Sequence, residues 1–178
     1  MSGHSHWAGI KQRKGTNDAK RANIFTKLGR FITIAAREGG GNPEFNFKLN
    51  MAIEQARAAN IPKDNIDKAI KRGTGELKDS AEIQEAVYEA YGPNGIMMVI
   101  KALTDNKNRT VSEIKAILAK FGGKFGGQGS TMWNFEYVDN EYKPKNIIFI
   151  DEKNRSKYEK LLESLDELDD VQEIYDNL

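Results

Sequence analysis

The sequence predicts an α+β protein in which an N-terminal three-helix domain, residues 1–78, precedes a two-layer α/β sandwich, residues 79–178. Up to residue 73, apolar residues recur at spacings of three and four, whereas after residue 83 they alternate or form dense runs. The 178 residues are enough for one or two compact units. A composition of 39% hydrophobic and 30% charged residues is typical of a globular protein.

The first domain is predicted to consist of a Gly-rich basic arm of 16 residues followed by three helices. The first helix begins near Asp18 and ends before Gly39-Gly40-Gly41. The second fits residues 46–59, after which Asn60-Ile61-Pro62 breaks the pattern, and a short third helix is stopped by Gly73.

The second domain is predicted to begin with a β-hairpin over residues 83–104, turning at Gly92-Pro93-Asn94-Gly95. The dense apolar run Ile96–Ile100 suits its central strand. A helix follows, because Thr110 and Glu113 have capping-box spacing ahead of an apolar stripe that ends at Phe121.

The remaining pattern predicts strands at 131–137 and 146–150, a leucine-striped helix from Tyr158 to Leu168, and a short strand at Val171–Tyr175. Residues 138–145 are predicted to be an ordinary surface loop that joins neighbouring antiparallel strands, with Asp139-Asn140-Glu141 as its solvent-exposed hairpin tip. Two helices would therefore cover one face of a mostly antiparallel sheet.

Charge is distributed unevenly along the chain. Residues 1–78 contain 15 lysines and arginines against 7 aspartates and glutamates, whereas residues 79–178 contain 12 and 19. This asymmetry favours a polyanionic partner for the first domain, with a merely solvated basic surface as the alternative.

The first helix carries the most informative cations. At 100° per residue, Lys20, Lys27, Arg30 and Arg37 fall within about a quarter-turn, opposite the apolar stripe. A row of cations facing solvent suits contacts to phosphate groups. The predicted nucleic-acid-binding residues are Lys11, Arg13, Lys14, Lys20, Arg21, Lys27, Arg30, Arg37, Lys71 and Arg72.

Several other kinds of site are not predicted. The chain has no cysteine, and His4 and His6 have no third metal ligand nearby. Neither a nucleophile elbow nor a cofactor motif is present, so no enzyme activity, metal or cofactor is predicted. The glycine-rich residues 122–130 follow a helix and precede a strand, unlike a phosphate-binding loop, and are predicted to be structural.

Two further features concern partners and location. Five acidic residues (Glu163, Asp166, Glu167, Asp169 and Asp170) predict a solvated acidic face that could dock a basic protein. The chain contains neither an apolar run of ~18 residues nor a signal-peptide pattern, so a cytoplasmic protein without membrane contact is expected.

Several sequence blocks carry a family resemblance. They are Gly3-His4-Ser5 with Trp7, Asp18-Ala19-Lys20-Arg21, Gly39–Pro43, Ala58–Ile66, Ile70–Gly75, Tyr91-Gly92-Pro93, Leu103–Asn106 with Asn108–Thr110, and Leu168–Gln172. Together they resemble the YebC/PmpR family over nearly the whole chain. The resemblance implies a cytoplasmic transcriptional regulator that binds DNA, and kinship with a mitochondrial translational activator that acts on the ribosome.

The chain departs from the family pattern in two ways. His6 stands where the family usually has lysine. The chain is also shorter, because Trp133–Tyr137 continues through Val138–Lys143 directly into Pro144-Lys145-Asn146, where the family inserts a third domain. We therefore expect a two-domain variant in which residues 79–178 form a closed unit.

The sequence thus predicts a nucleic-acid-binding regulator of gene expression, with a DNA-binding transcriptional regulator as the first hypothesis. The expected partner is duplex DNA or ribosomal RNA. A ribosome- or rRNA-associated translational activator is one alternative, and a protein-interaction adaptor is another. No recognition helix rich in base-reading Asn, Gln and Arg stands out, which favours binding to the nucleic-acid backbone or shape.

Overall fold

The computed structural model describes residues 18–77 and 81–178, which divide into two compact units. The helical unit contains the described residues up to Gln84 together with Leu103–Asp105. The sheet unit contains Glu85–Ala102 and Asn106–Leu178.

Three helices build the helical unit, as the sequence predicts: α1 (Asp18–Gly39), α2 (Phe47–Ala58) and α3 (Lys63–Gly73). Gly40 has a φ of 86°, which suits the residue after a helix end because glycine has no Cβ to clash. The three helices share one apolar core. Its buried members are Ile32, Ala35, Ala36, Leu49, Ala52, Ile53, Ala56, Ile61 and Ile66.

Helix α1 also buries a second side. Ile34 packs with Ile83 and Leu103, two residues that follow the three helices in sequence but lie in the helical unit. A helix that packs on two sides has little surface left for solvent, and this affects where its cations lie.

Four strands form the main sheet: β1 (Gln84–Tyr91), β2 (Met97–Thr104), β3 (Lys124–Phe125) and β6 (Val171–Asp176). Their order across the sheet is β3-β1-β2-β6. Strand β1 pairs antiparallel with β3, and β2 pairs antiparallel with β6. A short turn at Pro93–Gly95 joins β1 to β2 as the predicted hairpin. The mostly antiparallel sheet is confirmed.

Helices α4 (Lys107–Lys120) and α5 (Glu152–Asp166) cover one face of this sheet. Their buried residues pack with Met98 and Ile100 of β2 and Ile174 of β6. The alternate residues Val99 and Tyr175 point to the other face, where they pack with Phe135. Strand β2 is therefore buried on both faces, which explains its uninterrupted apolar run.

Phe135 belongs to a second, two-stranded sheet that the sequence pattern does not predict. It consists of β4 (Phe135–Val138) and β5 (Glu141–Pro144), which are antiparallel. Asp139 and Asn140 form the tip, with φ values of 54° and 65°. The predicted loop 138–145 is thus wrong except at this tip.

The strands predicted at 131–137 and 146–150 also need correction. Residues Met132–Asn134 form a 3₁₀ turn, and residues 146–150 are not a strand, although Ile148 N–H donates to Asn177 O at 2.8 Å. The predicted loop 122–130 contains the short edge strand β3.

The capping box predicted at Thr110 and Glu113 is wrong as well. Helix α4 begins earlier, because Asn106 is its N-cap and accepts a hydrogen bond from Arg109 N–H at 3.1 Å. Thr110 lies inside the helix, where it is buried and its hydroxyl donates to Asp170 Oδ2 at 2.6 Å. The Thr-x-x-Glu spacing therefore reflects a tertiary contact of Thr110 and not a helix start.

Candidate nucleic-acid interface

The predicted row of cations on α1 does not face solvent along its whole length. Arg21 is exposed and Lys20 is half-buried, but only 6% of Lys27 is accessible. The expectation that Lys27 lies on the solvent side is therefore wrong. A helical projection with a single buried stripe misplaces this residue, because α1 packs on two sides.

Arg30 and Arg37 are engaged within the helical unit. Arg30 Nη1 donates to Leu103 O at 2.9 Å. Arg37 Nη1 donates to Ile83 O at 2.6 Å and pairs with Glu82 Oε1 at 2.9 Å. Both guanidinium groups hold the chain segments that cover the second side of α1.

The last turn of α3 presents the other predicted pair of cations. Lys71 is exposed, and no carboxylate in the described part of the chain forms an ion pair with it. Arg72 is half-buried, and its Nε is buried without a hydrogen-bond partner among the described residues. An unpaired buried donor of this kind costs about 1–3 kcal/mol, which an added acceptor would recover.

Glycine brings this end of α3 against α1. A Cβ at Gly73 would overlap Thr33 O, so only glycine allows the observed approach. Thr33 Oγ1 also donates to Ala69 O at 3.2 Å. Gly41 touches the same turn, because a Cβ there would lie 2.8 Å from Thr74 Cγ2. The last turns of α1 and α3 and the α1–α2 connection therefore meet at one end of the helical unit.

Two exposed aromatic residues flank the N-cap of α2, Phe45 on that connection and Phe47 at the first position of the helix, and neither is among the sequence-predicted site residues. Phe45 is 85% exposed and Phe47 is 78% exposed. Between them, Asn46 is buried and donates to Ala35 O and Gly40 O at 2.7 and 2.8 Å. Asn46 Oδ1 also accepts from Leu49 N–H, which caps α2. The sequence feature that indicates them is the Phe-Asn-Phe pattern at residues 45–47, in which both phenylalanines lie outside the apolar stripe of α2.

The ten predicted binding residues are brought together only in part. Lys71 and Arg72 share one end of the helical unit with Arg37, whereas Lys20 and Arg21 lie in the first turn of α1. The remaining predicted cations of the arm, together with both histidines, lie outside the described residues; they are Lys11, Arg13, Lys14, His4 and His6.

Acidic side chains in the sheet unit have structural partners. Asp170, predicted to be part of a solvated face, is 2% exposed and accepts hydrogen bonds from Arg109 Nη2 at 2.9 and 3.0 Å. Asp176 accepts a hydrogen bond from the buried Tyr158 hydroxyl at 3.0 Å. In the described ranges, no group of three or more His, Cys, Asp or Glu side chains could hold a metal ion.

Helix α1 is the longest helix of residues 18–77 and 81–178, at 22 residues, and it contains several charged side chains. Within those residues, no helix is both long and apolar enough to cross a membrane.

Comparison with known proteins gives a consistent family. Residues 5–76 match the TACO1/YebC protein N-terminal domain. The TACO1/YebC second and third domain matches in two stretches, residues 83–139 and 136–178. The two stretches overlap at the end of β4, next to the place where the resemblance puts the family's insertion.

Curated relatives point the same way. A probable transcriptional regulatory protein of Petrotoga mobilis is 53% identical over 98% of this chain and 69% of its own length. A probable transcriptional regulatory protein of Thermotoga maritima is 56% identical over 76% of this chain and 53% of its own length. A probable transcriptional regulatory protein of Thermoanaerobacter pseudethanolicus is 38% identical over 100% of this chain and 97% of its own length.

A solved structure supports the fold. The conserved hypothetical protein Aq1575 from Aquifex aeolicus superposes with a TM-score of 0.85 at 35% identity, covering 97% of this chain and 96% of that one. With family models matching both units and relatives this similar along the chain, the chain belongs to the TACO1/YebC family.

Proposed function

We propose that this chain is a nucleic-acid-binding regulator of gene expression whose helical unit contacts phosphate groups. The observation that carries the proposal is the end of α3, where exposed Lys71 adjoins Arg72 with its unpartnered buried Nε. A small side-chain shift that brings Nε to a phosphate oxygen would gain a charge-assisted hydrogen bond that the described chain does not supply.

The charge asymmetry supports the same partner. The first 78 residues carry a surplus of cations, and the remaining residues carry a surplus of acids. A basic unit attracts phosphate backbones by steering and by counterion release, neither of which needs base-reading side chains. The names of the curated relatives favour transcription as the process that this chain regulates. We therefore propose duplex DNA as its first partner and the cytoplasm as its location.

The proposal describes a binding protein rather than an enzyme. Glu89, Asp170 and Asp176 are the buried carboxylates of the described chain, and each is held by hydrogen bonds that organise the sheet unit. Such groups stabilise the fold and do not form a reactive cluster.

The test is fluorescence anisotropy with labelled duplex DNA and with labelled RNA of equal length, each measured across a salt series. The interface variant carries Lys20→Glu, Arg21→Glu and Lys71→Glu. Lys27 and Arg30 are left unchanged, because one is buried and the other donates to Leu103 O, so replacing them would test folding. We expect the interface variant to lose about tenfold or more in affinity, with a salt slope shallower by roughly 0.9 per lost duplex phosphate contact.

The matched control carries Lys153→Glu, Lys157→Glu and Lys160→Glu on the exposed side of α5, which makes the same change in net charge. It should bind much more tightly than the interface variant. Equal losses in both variants would reduce the effect to net charge, and unchanged affinity in the interface variant would contradict the proposal.

A further inference from the structure

Phe45 and Phe47 are two large apolar side chains held almost entirely in solvent. Exposing aromatic rings forgoes the stabilisation that burial would give, about 1.5–3 kcal/mol for a fully buried phenylalanine. Helix α2 buries Leu49, Ala52, Ile53 and Ala56 on its other side, so the two rings are not needed for its packing.

The backbone that carries these rings is fixed. Asn46 makes hydrogen bonds to Ala35 O, Gly40 O and Leu49 N–H, and a Cβ at Gly39 would lie 2.6 Å from its Nδ2. Because the segment is anchored at its centre, its flanking rings stand on a rigid support, and little backbone entropy remains to be lost on binding.

The connection that carries Phe45 packs against the last turn of α3, which carries Lys71 and Arg72. Phe45 is four residues from Gly41, which contacts Ile70 and Thr74 on either side of Lys71 and Arg72. Four residues span at most about 14 Å, which bounds the distance between the Cα atoms of Phe45 and Gly41. A ligand that contacts both the rings and these cations therefore needs flat apolar groups and anionic groups repeated at short intervals.

Unpaired nucleotides have that chemistry. Each base offers a flat face to an aromatic ring, and each phosphate offers oxygens to lysine and arginine. In a duplex the base faces are stacked on each other and closed to side chains, so exposed rings at a rigid site select single strands, loops or melted segments.

We infer that Phe45 and Phe47 stack on unpaired bases of a single-stranded nucleic acid whose phosphates reach Lys71 and Arg72. This inference rests on the proposed function and narrows it, because it makes unpaired bases part of the binding site. Single-stranded RNA and melted DNA offer the same chemistry, so both belong among the probes.

The experiment measures the affinity of the full chain for four labelled probes of equal length, about 12 nucleotides, within the usual range of single-strand site sizes. They are a uridine-only RNA, a thymidine-only DNA, an abasic DNA strand and an RNA duplex. The abasic strand keeps the phosphates and removes the bases, so it separates stacking from phosphate contacts.

We expect the wild-type chain to bind the base-bearing single strands more tightly than the abasic strand. The double variant Phe45→Ala with Phe47→Ala should lose at least about fivefold on the base-bearing single strands, the lower end of the effect of one lost stacking contact. Its affinity for the abasic strand should not change. Phe45→Trp with Phe47→Trp should retain binding, whereas Phe45→Leu with Phe47→Leu, which keeps apolar bulk without a ring, should not.

The other outcomes distinguish failure of this inference from failure of the proposed function. If the wild-type chain binds neither these probes nor the labelled duplex DNA, the proposed function fails and this inference fails with it. If it binds the duplex DNA but none of these probes, only this inference is overturned. If the wild-type chain binds the single strands and the alanine variant binds them with the same affinity, only this inference is overturned. The exposed rings would then be assigned to contact with a protein partner. Equal losses on the abasic and base-bearing strands would also overturn it. Thermal melts of all variants check that the fold is intact, as expected for side chains so exposed.

Discussion

Glu89 is a buried carboxylate whose charge is stabilised by the chain around it. Its two oxygens accept hydrogen bonds from the N–H groups of Gly129, Thr131 and Met132 at 2.6–2.7 Å. Burial by itself raises the pKa of Glu89, but the backbone hydrogen bonds together lower it more, so its pKa lies below the ordinary value. The carboxylate thus fixes the glycine-rich loop after β3.

Replacing Glu89 with Gln tests this anchor. An amide has only one oxygen, so at least one of the three N–H groups loses its acceptor. We expect Glu89→Gln to lower the free energy of unfolding by about 2 kcal/mol near neutral pH, measured by denaturant titration. Glu136→Gln, at an exposed position of β4, is the control and should change it little.

The pH dependence of that difference has a definite sign. The pKa of Glu89 in the folded state lies below its ordinary value of 4.5. The charged carboxylate therefore stabilises the folded state above pH 4.5, and this stabilisation is lost as the pH falls through the folded-state pKa. The difference in unfolding free energy between wild type and Glu89→Gln should stay constant near neutrality and shrink below pH 4.5. A difference that widened on acidification would contradict this account.

At the level of elements, glycine decides how closely α1 and α3 approach. Gly73→Ala would drive a Cβ into Thr33 O, so the helices must separate, and we expect a cost of about 1–3 kcal/mol. The matched control is Gly29→Ala in the interior of α1, where nothing lies within 4 Å of the new Cβ. That change should stabilise the protein by about 0.5–1 kcal/mol. Thermal melts of both variants give the comparison, and a loss at both positions would show that the close approach is not the cause.

The tip of the β4–β5 hairpin is the subject of a second prediction at this scale. Both Asp139 and Asn140 have positive φ, which is the conformation of a type I′ turn, and Asn-Gly or Asp-Gly suits that turn best. Asn140→Gly should therefore leave stability unchanged or raise it slightly, whereas Asn140→Ala should cost about 1 kcal/mol. Equal melting temperatures for the Gly and Ala variants would contradict the turn assignment.

The sequence predicts a helix correctly where the buried residues of that helix recur at the helical spacing of three and four. Helices α1 to α3 have clear apolar repeats and end at glycine or before proline. The apolar run at 146–150 predicts a strand, but Asn146 hydrogen-bonds to the Asn134 side chain, Ile148 N–H donates to Asn177 O, and Phe149 is exposed, so no regular strand pairing forms. Strand β5 escapes prediction because its residues are polar and half-buried, and its pairing with β4 leaves no periodic apolar pattern.

The candidate site was predictable only in part. The sequence identifies which residues are cationic, but the burial of Lys27 and the hydrogen bonds of Arg30 and Arg37 depend on chain segments around Ile83 and Leu103, which pack on α1 from later in the sequence. The exposure of Phe45 and Phe47 is indicated only by their position outside the apolar stripe of α2, whereas phenylalanine itself usually marks a core position.

At the scale of the whole molecule, the two compact units are not divided at a single point in the sequence. Leu103–Asp105 follow residues of the sheet unit but belong to the helical unit. Residues 79–178 nevertheless contain the complete core formed by β2, β6, α4 and α5, including Ile100, Leu118 and Leu162. This composition sets what each fragment of the chain should do alone.

We therefore expect the fragment 79–178 to fold cooperatively, as judged by a dispersed amide spectrum and a single thermal transition. The fragment 1–78 should be the less stable of the two, because it lacks Ile83 and Leu103, which cover Ile34, and the carbonyls to which Arg30 and Arg37 donate. A collapsed fragment 79–178 without a cooperative melt would show that the sheet unit needs the helical residues to fold.

The two-residue tip of the β4–β5 hairpin also has a consequence for how this architecture can change its size. Val138 and Glu141 are paired across the ladder, so their Cα atoms lie about 5 Å apart. Any module whose own ends are equally close can be spliced between them, or excised, without shifting the register of either strand. Such an insertion lowers the stability of the surrounding fold only through the entropy of closing a longer loop. This entropic cost grows by only ~0.6 kcal/mol for each doubling in loop length. Longer and shorter proteins with this architecture can therefore differ by an insertion at the hairpin tip and keep the same pairing of β4 with β5.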